Sequence, residues 1–159
     1  MNAPARPEVP AGATGAAEYV ELHCRSAFSL LDGASLPEAL AARAAAVGLR
    51  ALALTDRHDM GGVVRFAEAA REAGIAGIVG AEVDVEWSDG APPSPVVLLA
   101  ESRAGHANVA TLVTRARMDR PRGEPAVPFD LLAPHVRGVF ALTGGPRGEV
   151  PARLARDDG

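Results

Sequence analysis

The order in which apolar runs and amphipathic segments follow one another constrains this chain more than any single residue does. "YVELHC", from Tyr19 to Cys24, is a short apolar run that reads as a strand. "EALAARAAAVG" comes next, with apolar positions at helical spacing and a stop at Gly48. Ahead of it, Ser35-Leu36-Pro37-Glu38 has the S-x-x-E form of a capping box with proline near the helix start. "LRALALTD" is a second strand, apolar enough to be buried on both faces, and "VVRFAEAAREAG" is a second amphipathic helix ended by Gly74. "IAGIVGAEVDVEW" is a third strand region. Strand-helix-strand-helix-strand at short intervals is the pattern of parallel βαβ units.

The pattern then changes. "SDGAPPSP" is too short to hold a crossover helix, so "VVLLAES" is expected to run antiparallel to the third strand. A helix over about Gly105 to Arg117, an irregular Pro/Arg-rich link, a short segment around Leu131 and a fifth strand in "GVFALTGG" follow, and "PARLARDDG" enters another helix. The expectation is an α/β fold of about five strands, short of the roughly 250 residues a closed (β/α) barrel takes. Residues 1–17 hold three prolines and almost no large apolar side chain. Too little surface is available there to offset the entropy of ordering, so a disordered tail is expected, with the folded domain over 18–159.

The formal net charge is -4 and no basic cluster is visible, which argues against autonomous DNA binding, since phosphates are neutralised by a basic patch. The single cysteine, Cys24, has no internal disulfide partner, as befits a reducing compartment. No apolar run approaches the roughly 20 residues of a membrane span, and a cytoplasmic location is expected.

In parallel α/β architectures, sites collect at the carboxyl ends of the strands. The first strand is expected to end in His23, the second in Asp56, and the third region in Glu82. Each is a competent ligand for zinc, iron or manganese, and all three are expected on one rim. Each also has a plainer reading. His23 can be an ordinary strand-end histidine, and Asp56 can cap the helix that follows it. Glu82 alternates with Asp84 and Glu86, as a solvated strand face would; Ser29 and Asp32-Gly33 can be plain turn residues. Cys24 is expected to point away from His23 as a small core residue.

Several stretches together resemble one family. "YVELHCRSAFSLLDGAS", "GLRALALTDRHDMGGVVRFAEAAREAGI", "IVGAEVDV" and "VFALTGGPRGEVPARL" are similar to successive blocks of the N-terminal PHP (polymerase and histidinol phosphatase) domain of bacterial DNA polymerase III alpha subunits. The "ELHCRSAFSLLDGAS" and "GVVRFAEAA" blocks most resemble the error-prone alpha subunits. The resemblance implies a distorted (β/α) barrel, here incomplete and with its C-terminal strands missing, and a metal cluster at the strand ends. A His-x-His pair ends the first strand in complete members; here His23 fills its first place and Arg25 its second. The second motif commonly reads Thr-Asp-His; here Thr55-Asp56 is kept and Arg57 replaces the histidine, with His58 one place later. Glu82 matches the acidic residue of the third motif. The later histidine and aspartate motifs belong to strands beyond Gly159.

Arginine stays protonated and offers a metal no lone pair. At about 4 Å and an effective dielectric near 20, it repels a unit charge by about 4 kcal/mol, and a dication by twice that. The two arginines are therefore expected to pair with Asp56 or Glu82 and turn a metal site into an ion-pair cluster. His23, Asp56 and Glu82 are then vestigial candidates, with no cofactor expected and residual zinc or manganese as the exception. The implied role is a structural segment of an error-prone polymerase alpha subunit that does not copy DNA alone. Its implied partners are the remainder of that subunit or other replication and mutagenesis proteins. Two other readings stay open: a metal-dependent phosphoesterase of the histidinol-phosphatase kind, and a non-catalytic interaction module that self-associates through unpaired sheet edges.

Overall fold

The computed structural model describes residues 19–157; the expected tail at 1–17 lies outside them. The chain runs β1 (Glu21–Cys24), α1 (Pro37–Ala46), β2 (Ala51–Leu54), α2 (Val63–Glu72) and β3 (Ala76–Glu86). It continues through β4 (Ser94–Ala100), α3 (Arg103–Met118), β5 (Val127–Pro128), α4 (Phe129–Leu132), β6 (Val139–Leu142) and α5 (Glu149–Asp157). The strands form one mixed, unclosed six-stranded sheet in the order β1-β2-β3-β4-β6, with β5 beside β3. The first three strands are parallel, β4 is antiparallel to β3, and β6 is antiparallel to β4. The switch to antiparallel pairing falls where the short "SDGAPPSP" link leaves no room for a crossover.

Two sequence expectations need correction. The strand count is six, because the Pro/Arg-rich link contains β5, which pairs parallel with Val85 and Glu86. The capping box does not form either: α1 is capped at Leu36 with no side-chain bond, and Pro37 opens the helix. The Ser35 carbonyl is already engaged by the Ala27 amide at 2.8 Å, while Glu38 pairs across to Arg65 on α2. The helix stops are as expected. Gly48 and Gly74 both take positive φ after the last turn. Their amides reach the carbonyls of Ala45 and Arg71, and those of Leu49 and Ile75 reach Ala44 and Ala70, the paired bonds of a Schellman motif.

Strand alternation sorts the sheet into two faces. On one, Ala81, Val83, Val85 and Leu98 are buried under Val109 and Leu112 of α3. Leu52 and Leu54 pack with Ala41, Phe66 and Ala70 of α1 and α2. The other face carries a smaller patch of Ala53, Val97 and Leu99, with Leu22, Ile78 and Leu142 beside it. Glu82 stands opposite Val97 in the β3–β4 register, so it belongs to this second face. Strand β1 is irregular: Glu21 to Cys24 spans the same length as Leu52 to Leu54, a β-bulge. The Glu21 carboxylate accepts the His23 amide within it, at 2.8 Å.

Candidate functional site

The centre of the site is a carboxylate sealed inside the protein. Glu82 is fully buried, yet it lies on a strand whose neighbours leave its two oxygens facing the end of β1. Arg25, the first residue past β1, donates from Nη2 to both of them, at 2.7 and 2.6 Å. The His23 ring meets Glu82 Oε2 through Nε2 at 2.5 Å, and Arg57 Nε stands 3.8 Å from Oε1. Burial alone would raise the Glu82 carboxyl, but the bonds from His23 and Arg25 outweigh it and hold the group below its ordinary range.

A second carboxylate repeats the arrangement two residues on. Asp84 Oδ2 takes Arg57 Nη2 at 2.6 Å and lies 3.1 Å from Nε2 of His58. Burial pushes this carboxyl up as well, and the His58 and Arg57 bonds pull it below the usual value. The bond to Asp84 in turn raises Arg57. His58 adopts left-handed backbone geometry, with φ of 50°. Its amide donates to the Glu82 carbonyl at 2.7 Å, which turns its ring toward Asp84 rather than Glu82. Asp32 closes the group, 3.2 Å from Arg25 Nη1 and 3.9 Å from Arg57 Nη1. A cleft of about 520 Å³ opens beside these residues.

Of the three ligand candidates, the structure brings together His23 and Glu82. Asp56 faces elsewhere. Its carboxylate accepts the Ser26 amide and hydroxyl at 2.6 and 2.7 Å and the Ser29 hydroxyl at 2.6 Å. It caps no helix, since α2 begins at Val63 after Gly62. Instead it pins the tight turn that follows Arg25, in which Asp32 and Gly33 donate to the Ser29 carbonyl at 3.0 and 2.8 Å. Gly33 is required there, because a Cβ would fall 1.8 Å from the Ser26 carbonyl oxygen. Ser26 and Ser29 are both buried, so Ser29 is more than a plain turn residue. Asp56 thus aims Arg25 at Glu82 through the backbone. Cys24 packs beside the cluster under α1 and α2, and burial, then Glu21 and Asp56, push its thiol up.

Sequence reasoning left Asp84, Asp32, Ser26 and His58 without site roles. The period-two spacing from Glu82 was a usable signal for Asp84. The serines carried none, because an ordinary turn has the same composition.

Both Glu82 oxygens are taken by one guanidinium, and among the described residues no group of three His, Cys, Asp or Glu side chains is placed to hold one ion.

The family model described as "PHP domain" matches residues 21–158. Among curated relatives, an error-prone DNA polymerase of Anaeromyxobacter sp. strain K is 45% identical over 148 residues, which are 87% of this chain and 13% of the relative. That of Bordetella parapertussis is 41% identical over 146 residues, 86% of this chain and 14% of the relative. The chain therefore spans only about an eighth of these proteins. Among solved structures, an amidohydrolase from Chromobacterium violaceum, with bound sulfate and no metal, is 35% identical with a TM-score of 0.52. The match covers 62% of this chain and 33% of that one. A provisionally assigned metal-dependent phosphoesterase from Bifidobacterium adolescentis shares the fold at a TM-score of 0.51 and 22% identity, over 62% of this chain and 32% of its own.

Proposed function

The chain belongs to the PHP domain family, and on that premise we propose that it is the N-terminal PHP segment of an error-prone DNA polymerase, with a structural rather than a hydrolytic role. The observation that carries this reading is the Arg25 guanidinium seated on both oxygens of the buried Glu82. A fixed positive charge there does for the fold what a cation does where imidazoles stand: it neutralises a carboxylate that burial would otherwise destabilise. Arg57 does the same for Asp84. His23, Asp56 and Glu82 are vestiges of a ligand set, two of them in an ion-pair centre and the third bracing the turn that holds Arg25 in place.

On this proposal residues 18–159 are the N-terminal portion of the domain, and further strands of a longer polypeptide pair with the open edges at β1 and β6 to complete a distorted barrel. The partner is then the remainder of the polymerase, and in its absence the free edges favour self-association. No helix among the described residues is long and apolar enough to cross a membrane, consistent with a polymerase working in the cytoplasm.

The experiment is a metal analysis of protein produced with zinc and manganese in excess, paired with an aryl phosphate assay. The expected result is well under one equivalent of metal and no turnover. A phosphoesterase is the second reading, favoured by the meeting of His23 and Glu82. Stoichiometric metal, with hydrolysis abolished by His23→Ala, would establish it and overturn the structural one.

A further inference from the structure

The β3–β4 turn and the start of α4 enclose a second groove, of about 630 Å³, that shares no lining residue with the cleft beside Arg57. Its floor is aromatic: the Trp87 and Phe129 rings stand 5.6 Å apart between centroids, tilted by 35°. Trp87 packs on the α3 core, and its indole N–H donates to Ser94 Oγ at 2.6 Å. Ser94 donates on to Glu149 of α5 at 3.0 Å. Arg153 joins Glu149 to Asp89 in the turn, at 2.5 Å from each. The tryptophan is thus held in one orientation from behind, leaving the open side to the groove. Phe129, 40% exposed, stands beside it.

The walls are proline rings. Pro92, Pro93 and Pro128 all line the groove and are exposed. Its charged lining residues are two acids, Glu86 and Asp130, with no arginine or histidine among them. Glu86 is paired with Arg120; Asp130 has no ion-pair partner among the described residues. Rigid aromatic faces between proline ridges suit a polyproline II segment, which has no internal hydrogen bonds to break and little entropy left to lose. Asp130, the acid left without a counter-charge, favours a positive occupant, and a guanidinium can lie on the tryptophan face.

We propose that this groove binds a proline-rich segment of a partner protein that carries arginine or lysine between its prolines. The site is independent of the Glu82 centre. Docking beside α4 leaves that ion-pair cluster untouched.

Trp87 is the only tryptophan in the chain, so its emission reports the groove directly. Purified protein is titrated with a short synthetic peptide of prolines and arginines. Two controls accompany it, one with alanine for proline and one with glutamate for arginine. The expected result is a saturable change in Trp87 emission with the first peptide and binding at least about tenfold weaker with either control. Phe129→Ala and Asp130→Arg, both at exposed positions, are each expected to weaken the first peptide by about tenfold while leaving the far-ultraviolet spectrum unchanged. No saturable change, equal response to the alanine peptide, or unaltered affinity in Phe129→Ala overturns the proposal. So does emission that depends on protein concentration without peptide, which would show a second copy of this chain covering the groove.

Discussion

Replacing Arg25 by methionine removes the guanidinium from Glu82 while keeping a flexible apolar stem of similar reach. A charge-assisted hydrogen bond contributes about 1.5–3 kcal/mol, and leaving a buried charge without its partner costs about 3–5 kcal/mol. Two features reduce the loss here. His23 still meets Glu82 Oε2 at 2.5 Å and Arg57 Nε stays at 3.8 Å, and the Arg25 side chain is 19% exposed, so water can enter the gap. The expected cost is about 2–3 kcal/mol. At about 2–4 °C per kcal/mol for a chain of this size, the melting temperature falls by about 4–12 °C.

Urea unfolding at neutral pH, followed by circular dichroism, measures the loss for Arg25→Met, Glu82→Gln and the double variant. Because the penalty comes from an orphaned charge, neutralising Glu82 in the Arg25→Met background should recover most of it, with a coupling energy of about 1.5–2 kcal/mol. Arg25→Lys should fall between, since a single ammonium on Glu82 cannot also reach Asp32 as Arg25 Nη1 does. A loss under about 0.5 kcal/mol in Arg25→Met, or additive single effects, would refute the claim that this pair holds the site together.

Acid should find the same centre. Glu82 and Asp84 both have folded carboxyls held below their ordinary values. Their stabilisation is therefore complete above the unfolded values, near 4, and is lost as pH falls through the lower folded ones. Urea midpoints measured from pH 6 down to pH 2 should drop steeply below about pH 4 in the parent, and less steeply in Glu82→Gln. Gly33→Ala places a methyl group 1.8 Å from the Ser26 carbonyl oxygen. It should destabilise by about 2 kcal/mol or more in the same assay, and a neutral result would show that the turn can open. The double variant Arg25→His/Arg57→His removes two positive charges and supplies two imidazoles beside His23 and Glu82. Zinc binding, measured by competition with a chelating dye, is expected to be absent in the parent and to appear in the double variant.

The elements could be read from the sequence because their signals are local. Periodicity of 3.6 in α2, a glycine two places past each of the first two helices, and a link too short for a crossover each determine structure within a few residues. β5 was hidden because Pro128 is one of its two residues and Pro125 stands just before it, and proline reads as loop when the partner strand is about forty residues away. The site divides in the same way. That His23 and Glu82 lie on one rim follows from strand order, but the turning of Asp56 away from them depends on the Ser26–Ser29 turn, which the alternation of β2 cannot reveal. The β1 bulge was equally invisible, since it is a mismatch between two strands and belongs to neither alone.

The buried carboxylate explains why the arginine and the glutamate depend on each other. Glu82 without a counter-charge is an orphaned anion in the core, and Arg25 without Glu82 is a cation at a strand end with only Asp32, at 3.2 Å, to answer it. Either loss alone is costly, whereas a metal ion or a guanidinium satisfies the position equally well in charge. The two solutions differ in their thermodynamics. A covalently tethered guanidinium is present at every metal concentration, so the charge it supplies to Glu82 is independent of the metal supply. Replacing Arg25 by histidine supplies a donor but removes the tethered charge, and the fold then gains stability only as RT ln(1 + [M]/Kd) with metal M. Arg25→His alone should consequently unfold at lower urea than the parent in chelator and shift upward with added zinc, while the parent midpoint stays fixed under both conditions.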